Sequence, residues 1–366
     1  DTIFAFRMIY LGEHPLEAGL PTMDTVYVEA LAQFMDSLPA TLTARDQRLM
    51  LGCQANMTLT LRGAVHSLGN DGIPTTPLDF GLLATGSGEL TLPLPASIGM
   101  GHYRLTLTAS LGDVTMSRHL SVTVLPHEAL PGGEGVLETR KRVALSYIAE
   151  HGVPRTGRLL AMLHVGDTGP QAQELLIRTL QRISARQDCS DFSMVPLLWI
   201  WRDFHGEHFP AVLWKRVRSA IVGYRYWYDE LGNDVMWYWS ENHALCFHTA
   251  QYLAGQMFPE ERFIASGRTG REQQAVAAQR LNAWFDAVEQ QGFVEWNSAP
   301  YYPVDYIGLF ALYQLADDAT LRQRAQRLID RLMQTSSLHY QSGIAAGTMG
   351  RVYEKELLAG QMTELS

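Results

Sequence analysis

Residues 237–257, which decide the fold, read WYWSENHALCFHTAQYLAGQM. Ser240 is a good N-cap, and the apolar-rich run that follows predicts a helix beginning just after it. Glu241 and His243 would then lie in the first turn, at the positive end of the helix dipole. We expect that position to keep His243 neutral, so that it can accept a proton near pH 7. A carboxylate, an amide and an imidazole framed by large aromatics are typical of a sugar-binding cleft.

The composition indicates a globular protein with more than one core. The chain has 366 residues, which is more than one core usually serves, so two domains are expected. Hydrophobic residues make up 46% and charged residues 18%, a balance that excludes a disordered chain. The net charge is -9, and acids and bases alternate without a basic stripe, which argues against nucleic-acid binding. An acidic polymer could still bind in a locally cationic cleft, because a cleft focuses the electric field.

The cysteines indicate neither a disulfide framework nor a zinc site. Cys53, Cys189 and Cys246 are three in number and include no CxxC pair, so we expect no metal and no cofactor. No apolar run is long enough to span a membrane. The chain opens at Asp1 with no Met and no signal-like segment. We therefore expect the mature form of a bacterial protein that is secreted or periplasmic, with a cytoplasmic location left open.

The first third of the chain has the period of β-strands. Residues 102–111 alternate between apolar and polar, a Gly-Asp turn follows, and residues 114–124 alternate again, which predicts a hairpin. Further strands are predicted at residues 58–65 and 89–94, and residues 16–39 are compatible with a short helix. We predict that residues 1–126 form a β-sandwich domain, broadly immunoglobulin-like.

The rest of the chain has a helical period. Residues 127–136 are rich in Pro and Gly and are predicted to be a linker. All eight tryptophans follow residue 198, and no nucleotide-binding glycine motif is present. Helices are predicted at residues 137–151, 155–164, 169–186, 209–223, 240–257, 269–291, 303–316 and 318–334. The antiparallel order and short connections predict a multidomain β + α protein whose second domain is helical.

Three segments carry a resemblance to a known family. They are WSENH at 239–243 with its helix, GFVEWNSAPYY at 292–302, and GRVY at 350–353. In this order and spacing, the C-terminal half resembles the (α/α) toroid carbohydrate-active enzymes, especially polysaccharide lyases of the heparinase and alginate-lyase type. The resemblance implies an (α/α) toroid catalytic domain over residues 137–366. A closed toroid needs about a dozen helices, so we expect an open or incomplete ring.

The resemblance also implies which residues are catalytic. In toroid lyases of this type, an Asn-His pair and a Tyr from the next helix hairpin meet in a central cleft. Here the pair is Asn242-His243, and Glu241 precedes it as a neutraliser, an orienter of the histidine or a general acid. Neighbouring tyrosines point apart, so only one of Tyr301 and Tyr302 is expected to act in catalysis. We favour Tyr301, because Tyr302 precedes a proline and could start the core face of the next helix.

The substrate is expected to be an acidic polysaccharide or oligosaccharide. Aromatic faces stack on sugar C–H groups, and an arginine can hold a carboxylate in bidentate fashion. The residues predicted to contact the substrate are Trp237, Trp239, Glu295, Trp296, Tyr302 and Arg351. Asp305, by contrast, is expected to be a structural acid in the first turn of its helix.

Three functions are compatible with these residues. The first is a polysaccharide lyase that cleaves a uronic-acid-containing polymer by β-elimination, with His243 and Tyr301 as base and acid. The second is a glycoside hydrolase that uses Glu241 with Glu295, or another Glu/Asp pair, as its two carboxylates. The third is a glycan-binding protein without activity. The sequence leaves the sugar, the linkage, endo or exo action and the oligomeric state open.

Overall fold

The structure is a computed structural model. It describes residues 23–39, 41–45, 47–67, 76–95, 98–99, 101–124, 136–341, 344–345, 347–353 and 356–357. The chain divides into two compact units, Asp1–Ala129 with Tyr353–Thr363, and Leu130–Val352 with Glu364–Ser366. The predicted linker at 127–136 lies outside the described residues except for Val136, so the domain boundaries stay a prediction.

The first unit contains one curled sheet and one helix in its described part. Helix α1 is Met23–Ser37, and the strands are β1 Thr41–Arg45, β2 Arg48–Ala55, β3 Leu59–Ser67, β4 Thr76–Leu83, β5 Gly86–Pro93, β6 Gly101–Leu111 and β7 Val114–Val124. Their order in the sheet is β4-β3-β6-β7-β1-β2-β5. The β1–β7 pair is parallel, whereas the other neighbours are antiparallel.

The hairpin predicted from the alternating residues is confirmed. β6 and β7 pair in register from Gly101 opposite Val124 to Leu111 opposite Val114. Gly112 closes the turn with a φ of 55°, a left-handed conformation that glycine adopts without strain. Leu105 on β6 is fully buried, as the alternation requires.

The described strands of the first unit form one seven-stranded sheet, and the predicted immunoglobulin-like sandwich is not confirmed. They join a single sheet, because β1 pairs with β7 on one side and with β2 on the other. Helix α1 supplies the apolar cover that a second sheet would have supplied. Its Phe34 and Met35 are fully buried in one cluster with Leu105 and Leu51 of the sheet.

The second unit is built of helices. They are α2 Leu137–His151, α3 Thr156–His164, α4 Pro170–Ser184, α5 Asp191–Phe204, α6 Ala211–Gly223, α7 Glu241–Met257, α8 Gly270–Gln291, α9 Tyr302–Leu315 and α10 Ala319–Leu338. A short β8–β9 pair, Tyr340–Gln341 and Ile344–Ala345, follows them. Eight of these helices match the predicted ones closely. α5 was missed because Pro196 lies inside it and interrupts the helical pattern.

The helices alternate between two layers. α3, α5, α7 and α9 contact one another in succession, and the helices between them in the sequence pack against this row. Within the described residues the row holds four helices and the second layer five. This alternation is compatible with an open toroid, and the toroid itself stays a prediction. No helix of the described residues is both long and apolar enough to cross a membrane.

Helix α7 is the most buried element of the second unit. From Asn242 to Gly255 only Ala244 has more than slight exposure. Gly308 of α9 lies so close that a β-carbon there would meet Leu245 at 2.7 Å, which fixes how near the two helices run. Since the body of α7 is enclosed, its N-terminal turn is the part that can present polar side chains.

Candidate active site at the start of helix α7

The start of α7 is fixed as its sequence predicts. Ser240 accepts a hydrogen bond from the His243 N–H at 3.4 Å and so caps the helix. The Glu241 carboxylate accepts the Val294 N–H at 2.8 Å, and the Trp284 indole donates to the Glu241 carbonyl at 3.0 Å. These bonds hold the first turn in place, so its three polar side chains have defined directions.

A chain of contacts begins at Asn242 and joins three distant segments. The fully buried Asn242 amide donates to the Glu295 carboxylate at 2.6 Å. The other Glu295 oxygen accepts a hydrogen bond from the Arg351 guanidinium at 2.8 Å. That guanidinium lies 3.9 Å from the ring centre of Tyr301, in cation–π geometry. Four residues that were predicted for the site, from these three segments, are therefore brought together.

Backbone contacts explain why Arg351 reaches this place. The loop after α8 and the segment before Tyr353 run next to each other and are joined by hydrogen bonds. Ser298 donates to the Arg351 carbonyl at 2.7 Å, and the Gly350 N–H donates to the Trp296 carbonyl at 2.8 Å. A β-carbon on Gly350 would meet the Val294 carbonyl at 2.6 Å, so the two segments approach too closely for a larger residue.

Tyr301 and Tyr302 have different surroundings. Tyr301 is half-buried beside Arg351, whereas Tyr302 is 2% exposed and packs against Phe293. The Tyr302 hydroxyl accepts the Asn297 N–H at 2.6 Å. Tyr302 therefore belongs to the core at the start of α9, and the substrate contact predicted for it is not accessible.

His243 lies on the other side of the turn, in a setting that differs from the prediction. Its Nδ1 is 2.8 Å from the fully buried Asp191 carboxylate, and its ring stacks on Phe192. Its Nε2 is 4.0 Å from the Cys189 sulfur. Burial lowers the pKa of His243, but the hydrogen bonds and charges of Asp191 and Cys189 together outweigh burial and raise the pKa to about 9. This direction is opposite to the one expected for a neutral histidine, because Asp191 and Cys189 favour the charged form.

Three carboxyl groups share the region behind Asn242. Burial raises the pKa of Glu241, hydrogen bonds from the Val294 and Glu295 N–H groups oppose that rise, and the Glu295 charge adds to it. Burial, then the charges of Glu241 and Glu295, raise the pKa of Asp305 well above its usual range. Among the described residues, neither Asp305 oxygen has a hydrogen-bond partner. Asp305 thus lies in the first turn of α9, as the sequence predicted, but it is fully buried, and its raised pKa favours the neutral acid.

Exposed aromatics lie in the segments that build this site. Trp237, Trp239 and Trp296 are 50%, 67% and 45% exposed. The rings of Trp237 and Trp239, just before α7, are 5.6 Å apart at an angle of 57°. Trp214, in contrast, is 4% exposed and belongs to the core. The exposed rings are available for stacking on a sugar.

Sequence analysis missed three residues of the site: Asp191, Cys189 and Asp188. Asp191 opens α5, the helix that was not predicted, so nothing placed it near α7. The signal was present, since Ser190-Asp191 at the start of an apolar run is a typical helix beginning. A second polar cluster therefore lies beside the contact chain that begins at Asn242. It contains His243, Asp191, Cys189 and Asp188.

No protein-family model and no curated protein matches the chain. The solved structures that are similar to it include the following two. A family 76 glycoside hydrolase from a bovine Bacteroides thetaiotaomicron strain covers 84% of this chain and 92% of its own length, at 9% identity and a TM-score of 0.32. A Salmonella α2-macroglobulin reacted with methylamine covers 81% of this chain and 22% of its own, at 16% identity and a TM-score of 0.24. With TM-scores this low, neither similarity decides the fold or the activity of this chain.

Proposed function

We propose that this protein is a carbohydrate-active enzyme, and that it cleaves an acidic polysaccharide by β-elimination. The observation that supports it is the contact chain Asn242–Glu295–Arg351–Tyr301. Elimination needs a cation for the uronate carboxylate and a proton-transfer group close to it. The Arg351 guanidinium stacked on the Tyr301 ring places such a cation next to such a proton-transfer group.

Arg351 is assigned to the substrate carboxylate. Its side chain is 36% exposed, whereas Glu295 is 8% exposed and lies behind it. Glu295 holds the guanidinium from one side, and Asn242 in turn holds Glu295. Binding the uronate carboxylate to a fixed cation stabilises the negative charge that develops when the C5 proton leaves.

Tyr301 is assigned to proton transfer. As a phenolate, stabilised by the neighbouring guanidinium charge, it takes the proton from C5. The electron pair of that C–H bond forms the C4–C5 double bond, and the C4–O bond breaks. The leaving oxygen receives the proton from the Tyr301 hydroxyl, which restores the phenolate. No water is consumed in this reaction.

His243 was predicted to act as base or acid beside Tyr301. It is 5% exposed, and its Nε2 is directed at Cys189. The proposal therefore gives proton transfer to Tyr301 alone and places His243 behind the reacting atoms, as a source of positive charge.

Two substitutions test the assignment. Tyr301→Phe and Arg351→Lys should each lower turnover by about two to four orders of magnitude, the usual effect of losing a positioned acid, base or charge. Activity is measured as ultraviolet absorbance of the unsaturated uronate product on a panel of acidic polysaccharides. Tyr313→Phe, half-buried on the same helix α9, is the matched control and should keep wild-type turnover. Unchanged turnover in Tyr301→Phe would exclude the mechanism.

A glycoside hydrolase is the second candidate, favoured by the unlike surroundings of two carboxyl groups. Burial raises the pKa of Glu241, as a general acid requires. The Glu295 carboxylate instead accepts hydrogen bonds from Arg351 and Asn242, as the second carboxylate of a hydrolase pair could. In that case Glu241→Gln and Glu295→Gln abolish cleavage, Tyr301→Phe keeps most of it, and a neutral glycan is accepted. A glycan-binding protein without activity would show none of these effects.

A further inference from the structure

Three potential metal ligands meet beside the proposed site, and elimination does not use them. Asp188, Cys189 and His243 each offer one ligand atom, and these atoms lie within 4.8 Å of one another. Two of the residues come from the turn before α5, and the third from the first turn of α7. We propose that they bind one divalent transition-metal ion, and that zinc is the ion that a carboxylate, a thiolate and an imidazole suit best.

Each ligand is held in position by its neighbours. The Asp188 carboxylate accepts the N–H of Cys189 at 3.0 Å and the N–H of Trp237 at 2.8 Å. Cys189 has a φ of 61°, a left-handed conformation that costs a non-glycine residue about 1 kcal/mol or more and needs support from its surroundings. Such strain is typical of functional sites.

Asp191 orients the histidine as carboxylates do in metal centres. Its oxygen is 2.8 Å from His243 Nδ1, so that nitrogen can donate to Asp191, and Nε2, which faces Cys189, would bind a metal ion once its proton is displaced. Phe192 stacks on the ring at 4.5 Å and prevents it from turning. A buried carboxylate on the far nitrogen of a ligating histidine is the usual second-layer contact of zinc sites.

The distances suit a small ion after a limited contraction. Zinc lies about 2.3 Å from sulfur and about 2.0 Å from nitrogen or oxygen, so ligand atoms around a tetrahedral ion are roughly 3.5 Å apart. The Cys189 sulfur and His243 Nε2 are 4.0 Å apart, and all three ligand atoms lie within 4.8 Å of one another. Shifts of about 1 Å or less in the Cys189 and Asp188 side chains would therefore bring the ligand atoms to this spacing. Three protein ligands leave a fourth position for water or a substrate oxygen.

The same residues also resemble a nucleophilic Cys–His–Asp arrangement, but the surroundings argue against acyl transfer. That chemistry needs free N–H groups near the sulfur to bind an oxyanion. The Cys189 N–H donates to Asp188, and the Ser190 N–H donates to the Gln187 carbonyl. The next two N–H groups are directed at the Asp191 carboxylate. The two donors nearest the sulfur are therefore in use, and the next two face a carboxylate, which favours the metal.

Cobalt binding to the full chain, cleared of metal with a chelator, tests the proposal directly. Co²⁺ should bind at one equivalent, with a sulfur-to-cobalt charge-transfer band and tetrahedral absorption, and Zn²⁺ should displace it. Cys189→Ser should remove the charge-transfer band, and Cys53→Ser, in the other unit, should keep it. Asp188→Asn and His243→Gln should each weaken zinc binding at least about tenfold, and Asp191→Asn by about 10- to 100-fold. Circular dichroism melting of each variant shows whether it is folded.

The absence of a cobalt–sulfur band in the folded wild-type chain would overturn the proposal, as would a band that survives Cys189→Ser. The proposal would also be overturned if Asp188→Asn and His243→Gln both bound zinc with wild-type affinity. The metal would add a fixed positive charge beside Asn242, and that role rests on the proposed function. Zinc binding itself does not depend on the proposed function. Zinc binding without any glycan cleavage would refute the lyase proposal and leave the metal site standing. Glycan cleavage without zinc binding would refute the metal site and leave the lyase proposal standing.

Discussion

The strongest structural prediction concerns Arg351, because it holds a buried carboxylate. The Glu295 carboxylate, 8% exposed, accepts hydrogen bonds from Arg351 and Asn242. Arg351→Ala removes the first of these two donors and leaves Asn242. Breaking a buried pair costs about 3–5 kcal/mol, but Arg351 is 36% exposed and solvent screens part of that. The contact with the Tyr301 ring adds about 0.5–1 kcal/mol. We expect a loss of about 2 kcal/mol in the free energy of unfolding.

The assay is urea denaturation, with the pair isolated by a double-mutant cycle. In a Glu295→Gln background, Arg351→Ala should cost less than about 1 kcal/mol, because the unpaired charge is gone. Arg271→Ala is the control, since its ion pair with Glu260 has side chains 71% and 76% exposed and should contribute about 0–1 kcal/mol. Equal costs of Arg351→Ala in both backgrounds, or a cost no larger than the control, would refute the coupling on which the site depends.

Three further predictions follow from the same structure. Burial and the Glu241 and Glu295 charges raise the pKa of Asp305, so the folded state binds this proton more tightly than the unfolded state and stability is lost as pH rises. Asp305→Asn should remove up to about 1.4 kcal/mol per pH unit of that slope above the unfolded pKa of about 3.9, and a plot of unfolding free energy against pH that stays parallel to wild type would contradict this. Trp239→Ala should weaken oligosaccharide binding up to about tenfold in calorimetry, while the control Tyr228→Ala, 58% exposed against 67% for Trp239, should not; an equal loss in both would remove the stacking role. Limited proteolysis should release a helical fragment that begins near Val136, and the absence of early cleavage around residues 126–135 would count against two domains.

The sequence predicted those parts of the site that depend on local chemistry. The cap at Ser240 and the first turn of α7 follow from a few neighbouring residues, and the structure has both. The choice between Tyr301 and Tyr302 also followed from a local rule, that adjacent side chains point apart. Tyr302 is indeed the one in the core.

What the sequence could not show depends on contacts between distant segments. Asp191 lies 52 residues before His243, and the helix that carries it was hidden by Pro196. Together with Cys189, Asp191 raises the pKa of the histidine, the opposite direction to the one expected from the helix position alone. In the first unit, alternation showed that strands exist but not how they pair, so the parallel β1–β7 contact was not foreseen. Strand pairing is non-local, and one such contact turns two sheets into one.

The most direct test of the central claim is the mass of the products formed from a uronic-acid polysaccharide in ¹⁸O-labelled water. Elimination consumes no water, so the account predicts new ends that are unsaturated, absorb in the ultraviolet and carry no ¹⁸O. A carboxyl-reduced polymer should be inert, because its C5 proton is no longer acidic. Products with ¹⁸O at the cleaved bond, saturated and formed equally from the carboxyl-reduced polymer, would contradict elimination and identify the protein as a hydrolase.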